Sequence, residues 1–353
     1  MTYFLSILSQ ITLEPIVFLN AVRRLIDDGA QITTNLLIDK ICHIELNYSD
    51  EICANLTNDG FSNYTDEVQQ HANNFLMVSQ WLGGVPAVVY SLFAGSLLDK
   101  FGCKPFIILP LIGALLSEVC LLINFAFIEN LPIQFFYVES IYSLFGGKSV
   151  FYLGTYAYGS LNFPEKSRAS ALTRYDGLEV IGKLIATLLA PIVLLNIGCV
   201  GNYSISIGST LLAILYTLIF IQSNSPSSVI NRTVKNVFMD FLVTPLVDML
   251  QCLFRRRPKG VHWLIAIQVY AFASYWFVLE EKALKYLFML KIFDGFDQTD
   301  YSWYFAYETA INTVGLLVIF PTMSNFLHIH DTAMLAICVG LESLGNLKSF
   351  IYN

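Results

Sequence analysis

The sequence predicts an all-α polytopic membrane protein, and three observations carry that prediction. Of 353 residues, 55% are hydrophobic and 13% are charged, about half the charged share that a water-facing surface draws on. Mean hydropathy is +0.59. The apolar residues gather in nine runs, each near the length of about 20 residues that crosses a bilayer as a helix. This composition excludes a soluble enzyme and a disordered chain. A net charge of −7 with no basic face excludes a nucleic-acid binder.

The runs fall at about 14–36, 75–98, 105–127, 132–158, 174–197, 203–222, 261–281, 303–324 and 332–351. No Lys or Arg precedes Arg23, so the basic region of a cleaved signal peptide is missing. The first six runs define an N-terminal unit, 1–222. A polar stretch at 223–260 separates them from a C-terminal unit of about three spans, 261–353.

The polar stretches orient the chain. The first, 37–73, is acidic and holds three Asn-x-Ser/Thr sites, at Asn47, Asn55 and Asn63. Such sites are glycosylated on the lumenal or outer side, so this loop is expected to face outward. A further site, Asn202-Tyr203-Ser204, falls on the same side if the spans alternate. Lys100, Lys104, Lys166, Arg168, Arg174 and the run Arg255-Arg256-Arg257-Pro258-Lys259 then lie inside, as the positive-inside rule requires. Both signals place the N-terminus in the cytoplasm. The bilayer is the first partner, and a plasma membrane is the expected site.

Chemistry concentrates at a few positions. Span two ends in Gly95-Ser96-Leu97-Leu98-Asp99-Lys100-Phe101-Gly102-Cys103-Lys104-Pro105. Its glycines permit a tight turn and close helix approach. Asp99 can accept hydrogen bonds from basic groups or from a helix N-terminus. Gly95, Asp99, Lys100, Gly102 and Lys104 between spans two and three resemble the loop signature of the major facilitator superfamily. Gly83-Gly84 and Gly146-Gly147 lie in apolar runs and read as close helix packing.

Ionisable residues inside a bilayer are costly and mark pathways or paired sites. Span one carries Arg23, Arg24, Asp27 and Asp28. Arg23 with Asp27, and Arg24 with Asp28, share helix faces at i,i+4. They are either self-neutralised structural pairs, or a span end at the outer surface, or a site where one Arg is freed to hold an anionic substrate. Spans three and four add Glu118, Glu139 and Lys148 to the pathway candidates. Span five carries Asp176, Glu179 and Lys183. Glu179 and Lys183 are spaced to pair. Asp176 has Glu179 as its neighbour on that face, an arrangement that favours proton uptake by one of the two acids. The alternative for Asp176 is a structural acid at the cytoplasmic mouth.

A narrower resemblance follows from Thr12-Leu13-Glu14-Pro15-Ile16-Val17-Phe18-Leu19, Lys40-Ile41-Cys42, Leu144-Phe145-Gly146-Gly147, Tyr156-Ala157-Tyr158 and Glu165-Lys166-Ser167-Arg168-Ala169-Ser170. Together they resemble the proton-coupled folate transporter family, solute carrier family 46, in an arthropod-like version. The resemblance implies alternating access at a site between two six-span halves, with inward proton movement driving uptake of folate or another organic anion. Asp176 matches a family glutamate tied to proton coupling, with Glu179 beside it. The family's disulfide joins the first outer loop to the loop after span seven. Here 282–302 has no cysteine, which leaves Cys42 and Cys53 as the nearby pair. The family's folate carriers have a histidine in span seven, where this chain reads Tyr275-Trp276-Phe277. Substrate identity therefore does not transfer.

Nine spans against the twelve of the resembled fold imply a partial second bundle and a C-terminally truncated chain. The rival reading is a truncated, non-transporting membrane protein or receptor-like regulator. Neither a nucleotide-binding glycine loop nor a nucleophile elbow is present, so no enzyme is expected. No cofactor is expected either, and no metal site is assigned to His328-Ile329-His330-Asp331. The expected partners are a small-molecule substrate and protons.

Overall fold

The computed structural model describes residues 13–23, 32–56, 61–127, 131–163, 165–221 and 298–319, with scattered residues between 247 and 293. The chain divides into two compact units, Met1–Phe305 and Ala306–Asn353. The described part of the second unit is the end of one helix and a π-turn, Gly315–Ile319. Everything that follows concerns the first unit. The polar stretch 223–260 and the seventh and ninth apolar runs lie almost wholly outside the described residues.

The first unit is built from α1 (Glu14–Arg23), α2 (Ile32–Lys40) with a π-turn Ile41–Glu45, the short α3 (Asp50–Ala54), α4 (Ser62–Phe101) and α5 (Cys103–Ala126). A 3-10 segment (Ile133–Ser140), α6 (Ile141–Leu144) and α7 (Gly147–Asn162) follow. Then come α8 (Glu165–Ile197), α9 (Cys199–Phe220) and the start of α10 (Gln298–Val314). Among the described residues, four helices are long and apolar enough to cross a membrane: those containing Asn63–Gly95, Cys103–Ala126, Arg174–Ile197 and Cys199–Phe220.

Sharp connections come from backbone geometry. Gly102 alone separates α4 from α5, with φ +77° and its N–H donating to the Leu98 carbonyl at 2.8 Å. That left-handed region is open to glycine and strained for side chains with a Cβ. The signature's other glycine behaves differently: a Cβ at Gly95 would meet nothing within 4 Å. The expectation of close approach therefore fails at Gly95, which lies at an open helix surface.

The acidic stretch 37–73 is mostly helical rather than a loop. Residues 37–45 continue α2 into the π-turn, and 62–73 begin α4. A hydropathy reading does not separate a polar helix from a loop. Cys42 and Cys53 form a disulfide across this region, with Cα atoms 5.9 Å apart.

Span four is not one helix. Gly146 and Gly147 take φ +99° and +57° and separate α6 from α7. A Cβ on Gly146 would lie 2.7 Å from the Val150 Cβ. These glycines break the span instead of lining a helix contact. Gly84 likewise meets nothing within 4 Å, while Gly83 has ordinary contact with Ser143. Close approach occurs elsewhere: a Cβ on Gly182 would lie 2.7 Å from the Ala21 Cβ, where α8 crosses α1.

Two apolar clusters form the core. One gathers Leu36, Ile41, Cys42, Leu121, Phe136 and Tyr203, the other Val17, Phe106, Leu111, Val150, Tyr175 and Ala213. The outward surfaces remain apolar, as Met77, Trp81, Val85, Val88 and Val89 show on α4 and Leu211, Leu215 and Ile219 on α9. Such a stripe suits lipid, where burial in protein adds no hydrophobic gain.

Candidate functional site

Between the two apolar clusters lies a polar layer. On α5, Leu111 belongs to one cluster and Leu121 to the other, with Glu118 between them. On α9 the same passage, from Ala213 to Tyr203, contains Thr210 and Ser206. From Val17 on α1 to Ile32 on α2 it contains Arg23, and along span four it contains Tyr142. Four segments that cross the bundle thus place polar side chains at one level.

These side chains meet. The Arg23 guanidinium lies 3.4 Å from Glu118 Oε1, and its Nε donates to Asn20 Oδ1 at 2.7 Å. Thr210 Oγ1 donates to Glu118 Oε2 at 3.0 Å. Ser206 Oγ donates to the Arg23 carbonyl at 2.6 Å, satisfying an oxygen at the end of α1. Arg23 also sits 4.8 Å above the Tyr142 ring, a cation–π contact. Arg23 is 4% exposed and Glu118 6%, so both charges are desolvated and depend on this pairing.

A second polar set joins α7 to α8. Tyr156 Oη donates to Asp176, and Tyr152 Oη donates to Glu179. Lys183 Nζ lies 2.8 Å from Glu179 Oε1. The Tyr152 and Tyr156 rings are nearly parallel, 6.0 Å apart. Spacing of four on α7 meets spacing of three on α8, so two rungs cross the helix pair. Asp176 is exposed at the helix surface, while Glu179 is half-buried. Lys148, in the first turn of α7, is half-buried as well.

The α4–α5 junction carries the basic signature. Asp99 is exposed. Lys104 Nζ donates to the Leu218 carbonyl at 3.0 Å, so a cation caps the last turn of α9, where the helix dipole favours it.

The disulfide-bonded cap is laced with polar contacts. His43 lies 3.3 Å from Asp39 and 3.4 Å from Asp50, and His71 lies 3.0 Å from Glu45. Tyr48 donates to Glu67 at 2.6 Å, and that bond, followed by burial, raises its pKa. Asn47 and Asn63 are exposed, and Asn55 is half-buried with its amide donating to the Glu51 carbonyl at 2.8 Å. Asn202 is wholly buried in α9, so its Asn-x-Ser sequence offers no acceptor in this fold. Among the described residues, no group of three or more His, Cys, Asp or Glu is placed to hold a metal ion.

Of the residues singled out in span one, Arg23 lies in the polar layer, whereas Arg24, Asp27 and Asp28 lie outside the described residues. Sequence reasoning placed Glu118 among several undifferentiated acids and passed over Asn20, Tyr142, Tyr152 and Thr210. The usable signal was a carboxylate, hydroxyls and an amide recurring at similar depth in otherwise apolar runs. Residues 65–341 match the family model described as the Major Facilitator Superfamily.

Proposed function

Because the chain belongs to the major facilitator superfamily and is a multi-pass membrane transporter, we propose that it carries an organic anion inward by alternating access, coupled to protons. Folate and related solutes are the named candidates, with the plasma membrane as the site and the N-terminus inside. Members of this superfamily move solutes without transforming them, and the chain is not an enzyme.

The observation that carries the anion reading is Arg23, a cation buried at the level between two apolar clusters. A charge at that depth is costly and is retained for pairing or transport. The guanidinium offers a fork of donors suited to a carboxylate or phosphate. Carriers of this architecture bind solute near the bilayer midplane. Lys148 stands as a second candidate cation. Arg24, Asp27 and Asp28 remain candidates from sequence alone.

Proton coupling is assigned to Asp176 and Glu179. What supports it is two carboxylates on one face of α8, each reached by a phenol from α7. Glu179 already has Lys183 as a cationic partner, which favours Asp176 as the group that loads and unloads. Asp176→Asn imitates the loaded state permanently. In proteoliposomes it should abolish acid-driven accumulation of folic acid and spare exchange of folic acid for folic acid. Asp176→Glu should be mild. Accumulation by Asp176→Asn equal to the parent's would make Asp176 structural.

A further inference from the structure

We propose that Glu118 is the specificity-determining residue of the transport site, an internal carboxylate that occupies Arg23 until a substrate oxyanion displaces it. The inference rests on the anion-transport reading and adds a residue and a ligand chemistry to it.

The geometry is that of an occupied anion site. Glu118 reaches Arg23 from a helix ninety-five positions away in the chain, so the pairing is tertiary and separable by helix movement. At 3.4 Å the contact is longer than the range of about 2.7–2.9 Å of a tight charge-assisted bond. That contact is held by charge more than by a tight hydrogen bond. The carboxylate has a second holder in Thr210, whose hydroxyl donates to it from another helix, 3.0 and 3.3 Å from its two oxygens. The guanidinium in turn has Asn20 and the Tyr142 ring. Each partner therefore keeps hydrogen-bonding or aromatic support when the pair opens, which lowers the cost of separating the charges.

Selectivity follows from that exchange. A neutral solute cannot replace a carboxylate on a buried guanidinium without taking a counter-charge away from it. A cation would meet Arg23 directly. A carboxylate or phosphate ester replaces one oxyanion by another, and the guanidinium fork can hold it bidentately. The residue also resets the empty carrier: when the solute leaves, Glu118 returns to Arg23. Removing its charge should tighten binding and slow release together, because the competitor that expels the solute is gone.

The test uses the full chain in proteoliposomes, with folic acid as the probe and phenylglyoxal as an arginine-directed reagent read by peptide mass spectrometry. Glu118→Gln should lower the KM for folic acid severalfold and lower the maximal rate, while Arg23 is labelled severalfold faster than in the parent. Folic acid should slow that labelling. Thr210→Val keeps the charge pair and should label like the parent. Equal labelling of Glu118→Gln and the parent would overturn the inference, and so would Thr210→Val labelling as fast as Glu118→Gln, which would mean loosened packing. If the parent takes up folic acid but folic acid leaves the labelling of Glu118→Gln unchanged, Glu118 is not a competitor and the inference is overturned. If the parent takes up no folic acid while Glu118→Gln still labels faster than the parent and Thr210→Val does not, the pair stands and the folate reading fails. Should Glu118→Gln not reach the membrane, Glu118→Asp shortens the carboxylate and must also label faster than the parent for the inference to hold.

Discussion

Lys40 and Asn124 form a wholly buried pair, with the ammonium donating to the amide oxygen at 2.7 Å. The Phe136 ring lies 5.6 Å from the same nitrogen. A neutral acceptor and an aromatic face hold this charge where α2 meets α5. Asn124→Leu removes the acceptor and leaves an ammonium in an apolar setting, at a cost of about 2–3 kcal/mol. Lys40→Met with Asn124→Leu removes both needs and should recover most of that loss. Thermal unfolding in detergent checks the order: the single Asn124→Leu variant lowest, the double variant above it.

The signature glycines should part company. Gly102→Ala places a Cβ on a residue at φ +77°, which costs about 1–3 kcal/mol in strained backbone. Gly95→Ala meets open space and should change stability by less than about 0.5 kcal/mol as a surface change. Gly146→Ala should join Gly102→Ala, since its Cβ also meets Val150 at 2.7 Å. Protein recovered from membranes and its Tm would show two sensitive positions and one tolerant one. Equal tolerance at all three would contradict the turn geometry.

Glycans should appear on the cap and nowhere on α9. Asn47 and Asn63 are exposed, while Asn202 is wholly buried. Glycosidase treatment of protein expressed in a eukaryotic membrane should shift the gel band. Asn47→Gln combined with Asn63→Gln should remove most of the shift, and Asn202→Gln none. A band that never moves would leave the outward orientation resting on the basic residues alone.

Asp99 should act on movement rather than on affinity. It lies exposed at the end of α4, three residues before the single-glycine turn, whereas Arg23 and Glu118 sit between the apolar clusters. Asp99→Asn should slow uptake several-fold with equilibrium binding of folic acid nearly unchanged. A large loss of affinity at a normal rate would place Asp99 in the binding site.

The sequence made the membrane class legible because hydropathy is a local sum. The runs at 105–127 and 203–222 correspond closely to α5 and α9. It left three things hidden for physical reasons. Arg23 has one acid, Asp27, at helical spacing in its own segment, so a local reading pairs it there; Glu118, also its partner, is brought by tertiary packing. Gly146 and Gly147 sit in an apolar run, and composition alone does not distinguish a helix-packing glycine from one at positive φ. The start of α4 reads as loop because polar residues dominate it, yet a helix in water needs no apolar face all round. Glu179 with Lys183 was visible because that pair is local, four residues apart on one helix.

The length of α4 has a mechanical meaning. Its 40 residues run about 60 Å, twice the hydrocarbon thickness of about 30 Å. The part beyond the apolar window is a rod carrying His71 and Glu67, which the disulfide-bonded cap grips through Glu45 and Tyr48. Pro86 interrupts the ladder partway along, and a proline is where a long helix bends. From Pro86 to the tip is about 36 Å. A 10° flex there would swing the tip by about 6 Å. The cap is therefore a handle: an antibody or nanobody that clamps α3 and the π-turn to the start of α4 would pull on a transmembrane lever without touching the solute's path.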